Sequence, residues 1–239
     1  MMLSSADIKR IKSLGQKKFR DLLGLFAVEG EKMVAEALAS DFEVLEVYRG
    51  SEIGEEAMSR ISSLSTPSPA LAVVRIPAVS SSGSVPGKGL FLCLDSIRDP
   101  GNLGTIIRTA DWFGIDGIYA SCDTVDVYNP KVVQATMGSI FRVPFAYADL
   151  PALCRKAVKA GGRVYGTFLD GEDIFSLSLD CGDSAPSLIV IGNESRGISP
   201  QVEAEVTDRL HIPEYPGRRS ESLNAAVAAA VTMSEFRRR

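Results

Sequence analysis

At 239 residues with 45% hydrophobic side chains, the chain holds enough apolar material for one large domain or two modest ones. A formal net charge of −4 excludes a global field drawing the molecule onto nucleic acid, so any such binding rests on local patches. No apolar run approaches the roughly 20 residues of a membrane span, and the N-terminus lacks the apolar stretch of a signal peptide.

The first 20 residues break from the acidic average. Lys9, Arg10, Lys12, Lys17, Lys18 and Arg20 face a single acid, Asp7, with Ile8, Ile11 and Leu14 at helical spacing beneath them. Such a basic amphipathic stretch is either a solvated face or an RNA-binding patch. Phe26-Ala27-Val28 reads as a strand, Glu29-Gly30 as a turn and residues 31–40 as a helix. Residues 44–48 and 71–76 read as strands on either side of a helix at 55–64. Residues 1–76 therefore make a small α/β unit, and 77–89, rich in Ser, Gly and Pro, read as a linker.

From residue 90 strands and helices alternate. Leu90 to Leu94 is an apolar run, followed by a loop from Asp95 to Asn102 and a helix to Phe113. Residues 117–120 form a short strand, Asn129-Pro130 caps a helix through Thr136, and 141–146 are strand-like. A helix at 150–160 precedes a strand at 163–168 that ends at Asp170-Gly171. Leu188-Ile189-Val190-Ile191 stops at Gly192, the pattern of a buried parallel strand. Ser199-Pro200 offers a helix start, and a strand at 210–213 leads to a helix opening at Ser222-Leu223-Asn224. Alternation of this kind argues a mostly parallel sheet covered on both faces. Its glycine-bearing polar loops then fall at the carboxyl edge, where open α/β sheets bind ligands.

The loop Asp99-Pro100-Gly101-Asn102 ahead of a helix is a candidate anion site, with Arg108 about one turn on and in reach of a phosphate held there. A structural turn with a surface arginine is the plain alternative. The spacing matches neither the dinucleotide-binding nor the P-loop fingerprint. Cys93, Cys122, Cys154 and Cys181 are widely separated and His211 is the one histidine, which argues against metal ligation and for reduced thiols in a cytosolic protein.

Taken together, Asn102-x-Gly104-x-x-x-Arg108, Gly192-Asn193-Glu194-x-x-Gly197, and Ile212-Pro213 followed by Ser222-Leu223-Asn224 resemble, in order, three motifs of one family. It is the SpoU (TrmH) family of RNA ribose methyltransferases, within the SPOUT superfamily. Asn129-Pro130-Lys131, Met137-Gly138-Ser139 and Arg142-Val143-Pro144 look like the family's intervening segment. Arg20 and Phe26-Ala27-Val28-Glu29-Gly30 look like the ribosomal-protein-like substrate domain many members carry. The resemblance spans essentially the whole chain.

It implies a trefoil-knotted α/β SPOUT methyltransferase domain over 90–239, a mostly parallel sheet with helices on both faces, and a small N-terminal α/β RNA-binding domain over 1–76. It also implies a cytoplasmic homodimer without metal that uses S-adenosylmethionine to methylate a ribose 2′-hydroxyl in structured RNA, ribosomal rather than transfer RNA. Carried over position by position, the cofactor loops fall at Thr167, Leu169 and Gly171, at Gly192, Asn193 and Glu194, and at Ile212, Leu223 and Asn224. The catalytic candidates are Asn102, Arg108, Glu194, Ser222 and Asn224. A guanidinium stays protonated in proteins, so Arg108 is expected to grip phosphate and stabilise oxygen charge, with Glu194 orienting it within the chain or across a dimer. Two positions depart from the family pattern: Gln134 stands where many relatives have arginine, and the path 214–221 is slightly extended. The rival reading is a non-catalytic RNA-binding ribosome-assembly factor that retains the fold, which the intact motif residues oppose.

Overall fold

Ser4 opens the first helix, Ser5–Ser13, through a reciprocal cap: its hydroxyl accepts the Asp7 N–H while the Asp7 carboxylate accepts the Ser4 N–H. A computed structural model of the chain describes residues 3–78, 87–216 and 222–238. They divide into one unit of Met1–Val79 with Asp126–Arg142 and another of Ser80–Val125 with Val143–Arg239. Most of the expected linker, residues 79–86, lies outside the described residues.

In the first unit, Ile11 and Leu14 leave the basic helix on its apolar side and join Leu25, Met58, Ile61, Leu71 and Val73 in one core. Strands β1 (Leu25–Glu29), β2 (Val44–Arg49) and β3 (Ala70–Arg75) form an antiparallel sheet in the order β1-β3-β2. The central β3 is buried at all but its last residue. The 126–142 segment completes this unit. Asn129 caps a helix at Pro130–Ala135 by accepting the Lys131 N–H, and that helix packs on β1. Phe26 meets Tyr128 at 4.7 Å between ring centroids, and Phe42 meets Phe141 edge-on at 5.1 Å. Residues 139–141, expected to begin a strand, form a 3-10 turn instead. Gly138 enters that turn at φ 99°, and the aromatic cluster takes the Phe141 ring.

The second unit holds seven strands: β4 (Gly89–Leu94), β5 (Gly117–Ala120), β6 (Phe145–Tyr147), β7 (Arg163–Phe168), β8 (Glu172–Asp173), β9 (Pro186–Ile191) and β10 (Asp208–His211). All their pairings are parallel, in the order β6-β5-β4-β9-β7-β10-β8. Phe91, Cys93, Val164, Leu188 and Val190 face the helix Leu150–Lys159 through Leu150, Leu153, Cys154 and Ala157. The alternate residues Leu90, Leu92, Leu94, Ile189 and Ile191 are equally buried on the other face. This two-sided burial is why these strands read as continuous apolar runs. The last helix, Ala225–Arg237, packs on β9 and on the helix Pro100–Trp112.

Candidate active site

Because the strands run parallel, their carboxyl ends share one edge, where Leu94, Ile191, Phe168 and His211 end the adjacent strands β4, β9, β7 and β10. Asp99 caps the helix after β4, its carboxylate accepting the Asn102 N–H at 2.8 Å, and Pro100 takes the first helical position. The helix therefore starts at Pro100, and Asn102, expected in the loop, lies in its first turn.

That placement aims Asn102 at two motif residues distant in sequence. Asn102 Nδ2 donates to Glu194 Oε1 at 2.6 Å, and Asn224 Nδ2 donates to Asn102 Oδ1 at 3.0 Å. Asn193 Nδ2 donates to the Ser96 carbonyl at 2.8 Å and lies 3.4 Å from Glu194 Oε2. Asn193 Oδ1 accepts the N–H groups of Ser195 and Arg196, which shapes the turn that the Asn193–Gly197 backbone pair closes. Asn224 also caps the final helix, accepting the Ala226 and Val227 N–H groups. One hydrogen-bond chain thus joins Asn224, Asn102, Glu194 and Asn193 around a carboxylate, where charge-assisted bonds are strongest.

Four residues missed in the sequence, Asp95, Ser96, Ser121 and Asp123, brace this chain. Asp95, buried at the end of β4, accepts the Ser199 N–H at 2.7 Å and so ties the strand to the 192–199 turn. Ser96 stands at φ 59°, a left-handed conformation that costs a non-glycine residue about 1 kcal/mol. Its N–H donates to Ser121 Oγ at 2.8 Å and its hydroxyl to Asp123 Oδ2 at 2.5 Å, which hold the strained backbone in place. The same hydroxyl, then that of Ser121, keeps the Asp123 carboxyl below its ordinary range. The available signal was a polar pair, Asp95-Ser96, directly after an apolar strand.

The expected cofactor residues lie along this edge. A Cβ on Gly192 would stand 2.3 Å from the Gly197 carbonyl carbon, so the turn folds back this closely only with glycine. A Cβ on Gly171 would meet the Arg209 carbonyl oxygen at 2.7 Å. Thr167 Oγ1 donates to the Val190 carbonyl at 3.1 Å, joining β7 to β9. The Arg209 guanidinium lies 3.6 Å from the Phe168 ring centroid and binds Asp170 at 2.7 Å, which keeps that carboxyl below its ordinary range. Leu169 is 72% exposed, Leu223 is 46% exposed and Ile212 is half-buried. Ser222 is exposed, and the preceding residues 217–221, part of the extended path, lie outside the described residues. His211 Nδ1 faces the Phe168 carbonyl at 3.4 Å, a contact between neighbouring strands.

Arg108 stands apart from this group. Since the helix begins at Pro100, Arg108 is its ninth residue, about 12 Å along the axis and beyond reach of an anion at the N-terminus. It is not a member of the Asn102–Glu194 chain among the described residues. It is exposed, one helical turn from Trp112, itself 85% exposed.

The basic residues of the first unit divide. Lys9, Lys12 and Lys18 are exposed, which both the solvated-face and the RNA-patch readings require. Lys17 pairs with Asp21 at 2.7 Å, and Arg10 binds Glu46 through one guanidinium nitrogen at 2.6 and 2.8 Å. Arg20 departs from the expected basic face. It is 2% exposed, bound to Asp126 at 2.5 and 3.0 Å and to the Leu14 carbonyl at 2.8 Å, so its charge is enclosed by the fold.

Residues 89–234 match the model of the SpoU rRNA Methylase family. The chain belongs to that family. Residues 5–72 match the MRM3-like substrate binding domain. The Bacillus subtilis 23S rRNA (guanosine(2553)-2'-O)-methyltransferase RlmP is 31% identical, with 96% of this chain and 95% of that protein covered. A Porphyromonas gingivalis structure attributed to the TrmH family of RNA methyltransferases shares 38% identity at a TM-score of 0.89, covering 99% of this chain and 98% of that one. The AdoMet-bound rRNA methyltransferase of Sinorhizobium meliloti gives 30% and 0.88, covering 99% and 97%. The SpoU resemblance drawn from the motifs is borne out, and with it the α/β fold with a parallel sheet and an N-terminal substrate-binding domain.

Proposed function

We propose that this SpoU methylase transfers a methyl group from S-adenosylmethionine to a ribose 2′-hydroxyl in ribosomal RNA, acting as a cytoplasmic homodimer. The observation that carries this reading is the Asn102–Glu194–Asn224 constellation, built from all three motifs at the carboxyl edge of a parallel sheet. The edge fits the donor. Its glycine turns bring backbone close at 171 and 192, its apolar side chains Leu169 and Leu223 are exposed, and Glu194 supplies a negative charge suited to a sulfonium cation. S-adenosylmethionine, when bound, supplies an already activated methyl group.

The chain's own residues then have to align, desolvate and balance charge. Asn102 and Asn193 fix the Glu194 carboxylate, and Asn224 fixes Asn102. Arg108 binds phosphate and stabilises charge on the attacking oxygen, whose proton leaves to water or phosphate, since a guanidinium is no base. Its distance from the helix start and its exposure beside Trp112 support a site completed across a dimer. The position of β9 between the earlier strands β4 and β7 supports the trefoil knot, an exception to unthreaded topology. Among the described residues no helix is long and apolar enough to cross a membrane.

The test is transfer of labelled methyl to ribosomal and transfer RNA fractions, followed by nucleoside mass spectrometry. A 2′-O-methylated nucleoside in the ribosomal fraction, absent with Arg108→Ala, is the expected result. Label on a base, or donor binding without transfer to either fraction, overturns it, and absence of donor binding favours the assembly factor.

A further inference from the structure

The first unit contains a cavity of about 230 Å³ that no part of the reaction uses. Its floor is apolar, from Ile11, Ala27 and Ile61, and its rim carries Lys12, Glu29, Ser62 and Ser63. Glu29 is 6% exposed and firmly placed. Its Oε1 accepts the Ser63 N–H at 2.7 Å and the Ser63 hydroxyl at 2.5 Å, and its Oε2 accepts the Ser62 hydroxyl at 2.5 Å.

Both serine hydroxyls direct their protons to Glu29, so toward the cavity this edge only accepts. A carboxylate offers about four acceptor positions, which leaves one on Oε2. Ser62 Oγ already accepts the Leu64 N–H at 3.1 Å and keeps one lone pair, whereas Ser63 Oγ keeps both, so Ser63 Oγ is the more open second acceptor. Ligand pockets for drug-sized molecules run from about 300 to 1,000 Å³, and this smaller space suits a single flat ring system. An acceptor on each side of Glu29 Oε1, beside an apolar lining, calls for a ring with two adjacent N–H donors. Among the RNA bases, guanine has that edge, at N1 and N2. Cytosine and adenine set one amino group beside an acceptor, and uracil sets one N–H between two carbonyls. Such edges are open to protein in unpaired RNA. Lys12 and Lys9, exposed one helical turn apart, supply cations for the adjoining phosphates.

We propose that this cavity receives one unpaired guanine of the RNA substrate, with Glu29 Oε2 and Ser63 Oγ accepting from N1–H and N2–H. The proposal rests on the methyltransferase reading only for RNA as the ligand. The test is fluorescence anisotropy of the full-length protein with labelled uridine-rich RNA hexamers carrying one guanosine, inosine or adenosine. Guanosine is expected to bind about tenfold tighter than inosine, which lacks only the N2 amino group. Ala27→Leu, which fills the floor, is expected to erase that preference while calorimetric binding of S-adenosylmethionine is unchanged. Equal affinity for guanosine and inosine overturns the proposal, and so does a preference that survives Ala27→Leu. The inosine exchange alters no protein atom, so this arm is independent of how any variant folds. Guanosine preference without methyl transfer overturns the reaction and upholds the cavity; methyl transfer without preference does the reverse.

Discussion

Arg20 in the first unit and Glu194 in the second are both charged side chains partly or wholly withdrawn from water, yet their partners differ in kind. Arg20 is enclosed by Asp126 and a backbone carbonyl, all inside one packed unit. Glu194 is held by Asn102 and Asn193, neutral amides that position its charge without cancelling it. The sheets explain why. An antiparallel sheet sends neighbouring strand ends in opposite directions, so β1, β3 and β2 gather no common mouth. The parallel sheet collects four carboxyl ends at one edge, and uncancelled polar groups accumulate there. The enclosed Arg20 charge of the first unit is consumed by structure; at the carboxyl edge of the second, Glu194 keeps its charge uncancelled.

The strongest way to break this comparison is Arg20→Ala. Removing one partner of a buried ion pair costs about 3–5 kcal/mol, because the other charge is left unanswered. Urea denaturation is expected to show a loss of that size, and wild-type stability would make Arg20 a surface residue in energetic terms. Glu194→Gln is the converse case. Methyl transfer is expected to fall by about 10²-fold or more, with the denaturation midpoint near wild type. A stability loss as large as that of Arg20→Ala would make Glu194 a structural group.

A pH series separates the units without mutation. Tyr48 and Tyr128 both lie in the first unit, and burial, assisted by Glu46 and Asp126 respectively, pushes each phenol up to about 12 from an ordinary 10.0. The fold favours the neutral phenol, so this stabilisation is whole below pH 10.0 and lost as pH rises towards about 12. Denaturation curves over that range are expected to weaken for wild type and less so for Tyr128→Phe. The smallest expected effect is a gain. The Ser187 hydroxyl is buried in β9 with no hydrogen-bond partner among the described residues, so Ser187→Ala is expected to stabilise the protein by up to about 1 kcal/mol. A loss instead would show that a water satisfies it.

What was legible in the chain follows the same division. Leu90 to Leu94 and Leu188 to Ile191 announced themselves because two-sided burial leaves an unbroken apolar run. The N-terminal helix announced Ile11 and Leu14 by their spacing. Arg20 looked like its basic neighbours, since the acid that buries it is 106 residues away. Spacing alone could not unite Asn102, Glu194 and Asn224, and the motif resemblance supplied what local pattern lacks. The supports Asp95, Ser96 and Asp123 stayed hidden because their roles lie in one left-handed backbone angle and in contacts across β4, β5 and the 192–199 turn.

The excursion of residues 126–142 into the first unit has a consequence for synthesis. Arg20 leaves the ribosome long before its counter-charge, and at about 5–20 residues per second a gap of 106 residues is about 5–20 s. For that interval the N-terminal segment has neither Asp126 nor the Tyr128 and Phe141 rings over Phe26. β4 waits almost as long, its Gly89 lacking the Pro186 it will face, with an open edge that other chains can pair with. The first unit is therefore completed by late arrivals rather than from the front of the chain, and a nascent protein halted before residue 126 carries an uncompensated arginine.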